Sequence, residues 1–155
     1  MPSVGSSGTR NPFPELVLVL DTDHLIELGY SSEAGLRPSK RLEQANLPVL
    51  ISIVSAEERL RGMLARLNQV KKESELVLAY RSLGQLIAFL AGFDGLPFDS
   101  GTAARFTRLR KDGVRVKTMD LRIACIALEQ DALLLTRNTV DFARVPGLRH
   151  EDWLV

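Results

Sequence analysis

The sequence predicts an α/β protein built on a parallel sheet with right-handed helical crossovers. Three observations lead there. Short apolar runs alternate with helix-patterned stretches along the whole chain. The runs at 16–20 (LVLVL) and 48–54 (PVLISIV) are apolar at nearly every position rather than at every second one. That pattern is expected of strands covered on both faces. The segments between runs are long enough for the crossovers that parallel strands need.

The elements follow in order. The first strand is placed at 16–20 and stops on the carboxylates of Asp21 and Asp23. A short helix is expected at 24–30, a loop through SSEAGLRPSK at 31–40, and a second helix at 41–45. PVLISIV supplies the second strand, rich in β-branched residues. Ser55 is expected to open a long helical region reaching Phe93, broken near 71–73 into a helical hairpin. A very short third strand is placed at 96–98. A helix at 100–111 closes on Asp112-Gly113, and another spans 118–130. ALLLT at 132–136 reads as a strand, and 148–154 as a short edge strand. No internal repeat or linker divides the chain. Residues 15–155 are expected to form one domain behind a flexible tail at 1–14, which is rich in Ser, Gly and Pro.

Composition narrows the function classes. The chain has 155 residues, 45% hydrophobic and 25% charged, with a net charge of +1. Whole-molecule charge therefore does not mark a nucleic-acid binder. No apolar run approaches the roughly 20 residues of a membrane helix, and the N-terminus lacks the apolar centre of a signal peptide. The single cysteine, Cys125, excludes an internal disulfide and a thiolate metal cluster and fits a small core residue. A cytoplasmic setting is expected.

In open parallel sheets the chemistry sits beyond the C-terminal strand ends. Among 19 acidic residues, position picks out a few. Asp21 follows the first strand, where it would otherwise serve as a helix N-cap. After the second strand come Glu57 and Glu58. Ser55 and Glu58 have capping-box spacing, and the apolar stripe Ala56, Leu60, Met63, Leu64, Leu67 puts Glu57 nearer the core edge, so periodicity does not select Glu58. Thr118 reads as an N-cap that puts Asp120 in the first helical turn. Asp120 heads a face of small residues with Ala124 and Ala127, which lets that helix approach the sheet closely. Asn138 and Asp141 follow the ALLLT strand, and one of them is expected to face the site. Asp99 reads as an ordinary N-cap. Carboxylates gathered at one sheet edge repel one another unless some hold protons or a cation joins them. Mg2+ or Mn2+ suits such oxygen donors. The two histidines offer little: His24 is expected on a helix surface or at a partner contact, His150 in a polar tail.

LVLVLDTDHLIEL, SIVSAEERLRG, TMDLRIACIALEQDALLLTRNTVDFARVPGL and the closing HEDW together resemble PIN-domain proteins, in particular the VapC-type toxins. The resemblance covers residues 16–155 in the same order, and 120–141 is its most specific part. It implies a three-layer α/β/α fold with a helical hairpin and a ribonuclease dependent on Mg2+ or Mn2+. The family's opening acid matches Asp21. Its glutamate four residues before a helical glycine matches Glu58 before Gly62, which decides for Glu58. Its acid ahead of an IAA-like stretch matches Asp120. At its variable fourth position Asn138 stands where many members have aspartate, with Asp141 three residues later. The implied catalytic set is Asp21, Glu58, Asp120 and Asp141, with Asp21 and Asp120 holding the metal directly. Thr22 matches a serine or threonine often found near the first acid. Hydrolysis by water rather than by the ribose 2′-OH would leave a 5′ phosphate. The resemblance also implies a neutralising antitoxin, for which the 55–93 hairpin is a docking surface, and a homodimer is expected.

Basic walls for RNA are sought in Arg59, Arg61, Arg66, Lys71 and Lys72, in the cations between Arg105 and Lys117, and in Arg137. Two other readings compete. DTDHL is similar to the opening of haloacid-dehalogenase-type phosphatases, with Asp21 as nucleophile and Asp23 as acid/base, but Leu25 stands where Thr or Val is expected. A catalytically silent PIN-like binding module, or an RNA-processing nuclease without a toxin role, would share the fold.

Overall fold

The computed structural model describes residues 16–29 and 33–155, with backbone alone for 33–38. The expected tail at 1–14 lies outside the described residues. Five strands form one parallel sheet: β1 (Leu18–Leu20), β2 (Val49–Ser52), β3 (Asp94–Leu96), β4 (Leu133–Leu135) and β5 (Arg149–Glu151). Their order is β3-β2-β1-β4-β5. The central strand pairs Leu18 with both Val49 and Leu133, and Leu20 with both Ile51 and Leu135. From β1 the chain moves to one side through β2 and β3, then returns to the other side through β4 and β5. The gap between β1 and β4 is therefore the switch point of the sheet.

The helices are α1 (Thr22–Gly29), α2 (Glu33–Ala45), α3 (Ile53–Gln69), α4 (Glu73–Ala91), α5 (Ser100–Lys111), α6 (Thr118–Glu129) and the single turn α7 (Thr139–Phe142). Side chains alternate across β1. Val17 and Val19 join a core with Leu121, Ile123, Ile126 and Phe142, while Leu18 and Leu20 join one with Leu25, Ile51 and Trp153. Helices α5, α6 and α7 cover the first face. Leu28, Leu42, Phe89 and Leu90 of α1, α2 and α4 pack on the second. This is the expected α/β/α sandwich, and 0% exposure along β1 explains its unbroken apolar run.

Several boundaries differ from the sequence reading. The segment read as a loop at 31–40 is largely helical: α2 begins at Glu33 and runs through Pro38. Leu42 and Ala45 anchor this helix to the second core, and that packing outweighs the breaking tendency of Gly35 and Pro38. The hairpin begins at Ile53, not Ser55, because Ser52 is the N-cap and accepts a 2.9 Å bond from Ser55 N–H. Ser55 is thus inside the helix and there is no Ser55–Glu58 capping box. The third strand lies at Asp94–Leu96 rather than 96–98, and Pro97 lacks the N–H that would continue a ladder. Helix α6 starts from Lys117 without a side-chain cap, so Thr118 is its first residue and not its N-cap. The break between α3 and α4, the span of α5 and the Asp99 cap, which accepts Thr102 N–H at 2.9 Å, agree with expectation. Cys125 is fully buried. Among the described residues, no helix is long and apolar enough to cross a membrane.

Candidate metal centre

Asp21 emerges from the central strand at the switch point and caps α1. Its carbonyl accepts Leu25 N–H at 3.0 Å and its carboxylate accepts Thr22 N–H at 2.8 Å. The N-cap role and a site role coincide here, because a helix N-terminus favours an anion. The other oxygen, Oδ2, accepts the hydroxyl of Thr136, which follows β4, at 2.7 Å. Thr136 is fully buried, and its Oγ1 also accepts Asn138 N–H at 3.0 Å. One threonine therefore ties Asp21 to the TRNTVDF turn across the β1–β4 gap.

The remaining acids arrive from three helices. Glu58 on α3 faces this gap, where the Thr22 hydroxyl donates to its Oε2. Glu57 points outward and pairs with Arg61 on the exposed side of α3. The stripe-based placement of Glu57 nearer the core is thereby corrected: Leu64 and Ile53 are about half exposed (48% and 52%), so the apolar stripe of α3 is not its core face alone. Asp120 stands in the first turn of α6, above the fully buried Ala124 and Ala127. The amide Nδ2 of Asn138 donates to Asp120 Oδ2 at 3.4 Å and to Asp141 Oδ2 at 3.0 Å. Both members of the doubtful pair therefore reach the site, against the expectation that only one would. Asp141 also lies 3.8 Å from Arg144.

The electrostatics follow from this crowding. Burial is the main reason that the Asp21 carboxyl is raised from 3.8 to about 6, with the negative charges of Asp23 and Asp120 adding to it. Asp120 is also raised, first by burial, then by Glu58, with smaller contributions from Asp141 and Asp23 and opposition from Lys117. Five carboxylates thus sense one another at one edge of the sheet. Among the described residues no three His, Cys, Asp or Glu side chains stand close enough together to hold a metal ion as they are placed. Hydrogen bonds from Thr22 and Asn138 occupy Glu58, Asp120 and Asp141 instead. The donor set still suits a hard divalent ion: it is all oxygen, and its members resist ionising together.

His24 differs from expectation. It is fully buried, with Nδ1 3.0 Å from Asp23 and Nε2 accepting Trp153 N–H at 3.1 Å. It anchors the closing segment and does not lie on a surface. His150 sits in edge strand β5, not in a polar tail. Asp23 is engaged by His24 and by Arg137 N–H at 3.2 Å, which leaves it poorly disposed to act as the acid/base of a phosphatase. Thr136 was not singled out by the sequence reading. No local signal marks it, because the carboxylate it orients lies 115 residues away in the chain.

A parallel sheet in the order 3-2-1-4-5 with acids converging beyond β1 defines an α/β protein with a carboxylate site at its switch point. The PIN domain signature matches residues 18–148, and the chain belongs to the PIN-domain family. It is 30% identical over 142 residues to the tRNA(fMet)-specific endonuclease VapC of Shigella flexneri, covering 89% of this chain and 98% of that protein. The fold is similar to that in the DNA-bound VapBC structure from Salmonella typhimurium, with a TM-score of 0.69, 24% identity, and coverage of 90% of this chain and 99% of that one. A toxin–antitoxin complex from Klebsiella pneumoniae matches with a TM-score of 0.61 and 25% identity over 84% of this chain and 94% of the other. Family membership removes the phosphatase reading.

Proposed function

We propose that this chain is a divalent-metal-dependent ribonuclease and the toxin partner of a toxin–antitoxin pair, acting in the cytoplasm. The observation that carries the reading is the gathering of Asp21, Glu58, Asp120 and Asp141 at the switch point, where Asp21 and Asp120 are both pushed above their ordinary range. The relative named as a VapC endonuclease and the neighbours crystallised as VapBC complexes support it.

Asp21 and Asp120 would hold Mg2+ or Mn2+ directly. When bound, such an ion activates water and offsets charge on the phosphate. Thr136 and Thr22 N–H keep the Asp21 carboxylate aimed out of the strand end. Glu58, which accepts the Thr22 hydroxyl, and Asp141, which accepts the Asn138 amide, would orient the attacking water and accept its proton. Attack on phosphorus breaks the bond to the 3′ oxygen, which leaves with a proton, giving a 5′ phosphate and a 3′ hydroxyl.

Exposed apolar side chains on the hairpin, Leu64, Val77, Leu78, Tyr80 and Ile87, support burial against an antitoxin or a second copy of the chain. RNA incubated with purified protein should be cut in Mg2+ or Mn2+, spared in excess chelator, and cut again once metal is restored. Cleavage that persists in chelator refutes the reading.

A further inference from the structure

Between α3, α4 and the end of α1 lies a cavity of about 300 Å3 that is separate from the acidic cluster. Its described lining includes Arg59, Met63 and Arg66 from α3 and Ser82, Gln85 and Phe89 from α4, with no carboxylate among the described lining residues. Arg59 and Arg66 are seven residues apart, about two turns, so both leave α3 on one face. Of the other described arginines, Arg41, Arg61, Arg105, Arg144 and Arg149 each reach a carboxylate, while Arg81, Arg108, Arg110, Arg115, Arg122 and Arg137 do not, so it is burial that sets Arg59 apart. Arg59 and Arg66 reach none among the described residues. Arg59 Nε is the one buried side-chain polar atom among them with no hydrogen-bond partner. A buried guanidinium N–H without an acceptor is costly. Its Nε–H and Nη–H edge matches two oxygens of a phosphate or carboxylate.

We infer that this cavity is a second anion subsite, which takes a backbone phosphate of the same RNA strand whose scissile phosphate lies at the acidic cluster. The inference rests on the ribonuclease reading. Continuity along α3 favours a nucleic-acid strand over an acidic protein segment. Arg59 directly follows Glu58, and Arg66 lies eight residues beyond Glu58, about 12 Å along the axis. A strand held at the cluster carries further phosphates at short regular intervals, so one of them falls within that span. Ser82 and Gln85 add neutral donors from the facing helix.

The test measures binding of a labelled single-stranded RNA of mixed sequence to the full chain in excess chelator, between about 50 and 200 mM salt. Wild type is compared with Arg59→Gln, Arg59→Lys, Arg66→Gln and Arg149→Gln. The last removes a charge at the far sheet edge, where Arg149 pairs with Asp131. Arg59→Gln and Arg66→Gln should each reduce the slope of log affinity against log salt by about 0.7. Arg59→Gln should also weaken binding about tenfold. Arg59→Lys should keep the slope and still lose affinity, because an ammonium cannot make the fork. Arg149→Gln should match wild type. Arg66 is exposed, so Arg66→Gln carries the test alone if Arg59→Gln melts early. If wild type binds and cleaves RNA in metal while both cavity variants behave like Arg149→Gln, the subsite is refuted and the ribonuclease reading stands. If wild type neither binds nor cleaves RNA, both fall. Loss of binding to a labelled polyglutamate peptide with RNA binding unchanged assigns the cavity to an acidic protein partner and overturns the inference.

Discussion

Replacing Asp21 by asparagine should stabilise the metal-free protein while removing its activity. Asp21 is only 6% exposed, and its carboxyl is raised from 3.8 to about 6. The folded chain therefore keeps this proton up to about pH 6, whereas the unfolded chain releases it near pH 4. Between those values the folded state binds more protons, so stability falls as pH rises, and above pH 6 the whole penalty is present. A shift of about two units corresponds to about 3 kcal/mol. Asparagine is close in shape to the neutral acid, can accept Thr22 N–H, and can donate to Thr136 Oγ1 after an amide flip. For a domain of this size the gain amounts to a melting shift of about 5–10 °C. The assay is thermal denaturation of both proteins in excess chelator from pH 4 to 8. The gap should be near zero at pH 4, widen to pH 6 and stay flat above. Added Mn2+ should nearly cancel it at about one hundred times the dissociation constant, where wild type alone gains about 2.7 kcal/mol, and reverse it at about one thousand times, where the gain is about 4.1 kcal/mol. A variant no more stable than wild type at pH 7.5, or a gap that does not close at pH 4, refutes the reasoning.

Two further predictions concern the turn after β4 and the start of α3. Asp141→Ala should weaken Mn2+ affinity and cleavage more than Asn138→Ala, because the amide orients its neighbours but neutralises no cation charge; unchanged, wild-type Mn2+ affinity in folded Asp141→Ala would leave Asp21, Glu58 and Asp120 as the whole acidic site. Ser52→Ala should cost about 1–2 kcal/mol in urea denaturation, since a fully buried cap bond to Ser55 N–H is lost, whereas a loss under about 0.3 kcal/mol would deny Ser52 that role.

The parts of the fold legible in sequence are those where one local signal decides. β1 was visible because both of its faces are buried, α5 because Asp99 caps it, and the hairpin break because 70–72 carries no apolar period. The start of α3 was not, because Ser52 and Ser55 both make acceptable caps and only the strand pairing of Val49–Ser52 with β1 and β3 chooses between them. The choice of Glu58 over Glu57 came from the family spacing alone, since Leu64 of the apolar stripe is itself 48% exposed. Asp21 and Asp120 could be read from position, each at the head of an element that reaches the sheet's C-terminal edge. His24 and Thr136 could not. Trp153, whose N–H His24 accepts, lies 129 residues away, and the carboxylate Thr136 orients lies 115 residues away. Such bonds leave no periodic trace.

The proposed chemistry depends most on Asp120 being a metal-holding acid and not merely a favourable charge in the first turn of α6. The direct measurement is a calorimetric Mn2+ titration of wild type and Asp120→Asn, with RNA cleavage followed on the same preparations. Wild type should bind Mn2+ saturably, and Asp120→Asn should lose both that binding and cleavage while its metal-free form melts at an unchanged or higher temperature. A first-turn charge alone is worth about 1 kcal/mol or less of stability and has no bearing on metal. A folded Asp120→Asn protein that binds Mn2+ with wild-type affinity and cleaves RNA at a near-normal rate would contradict the claim.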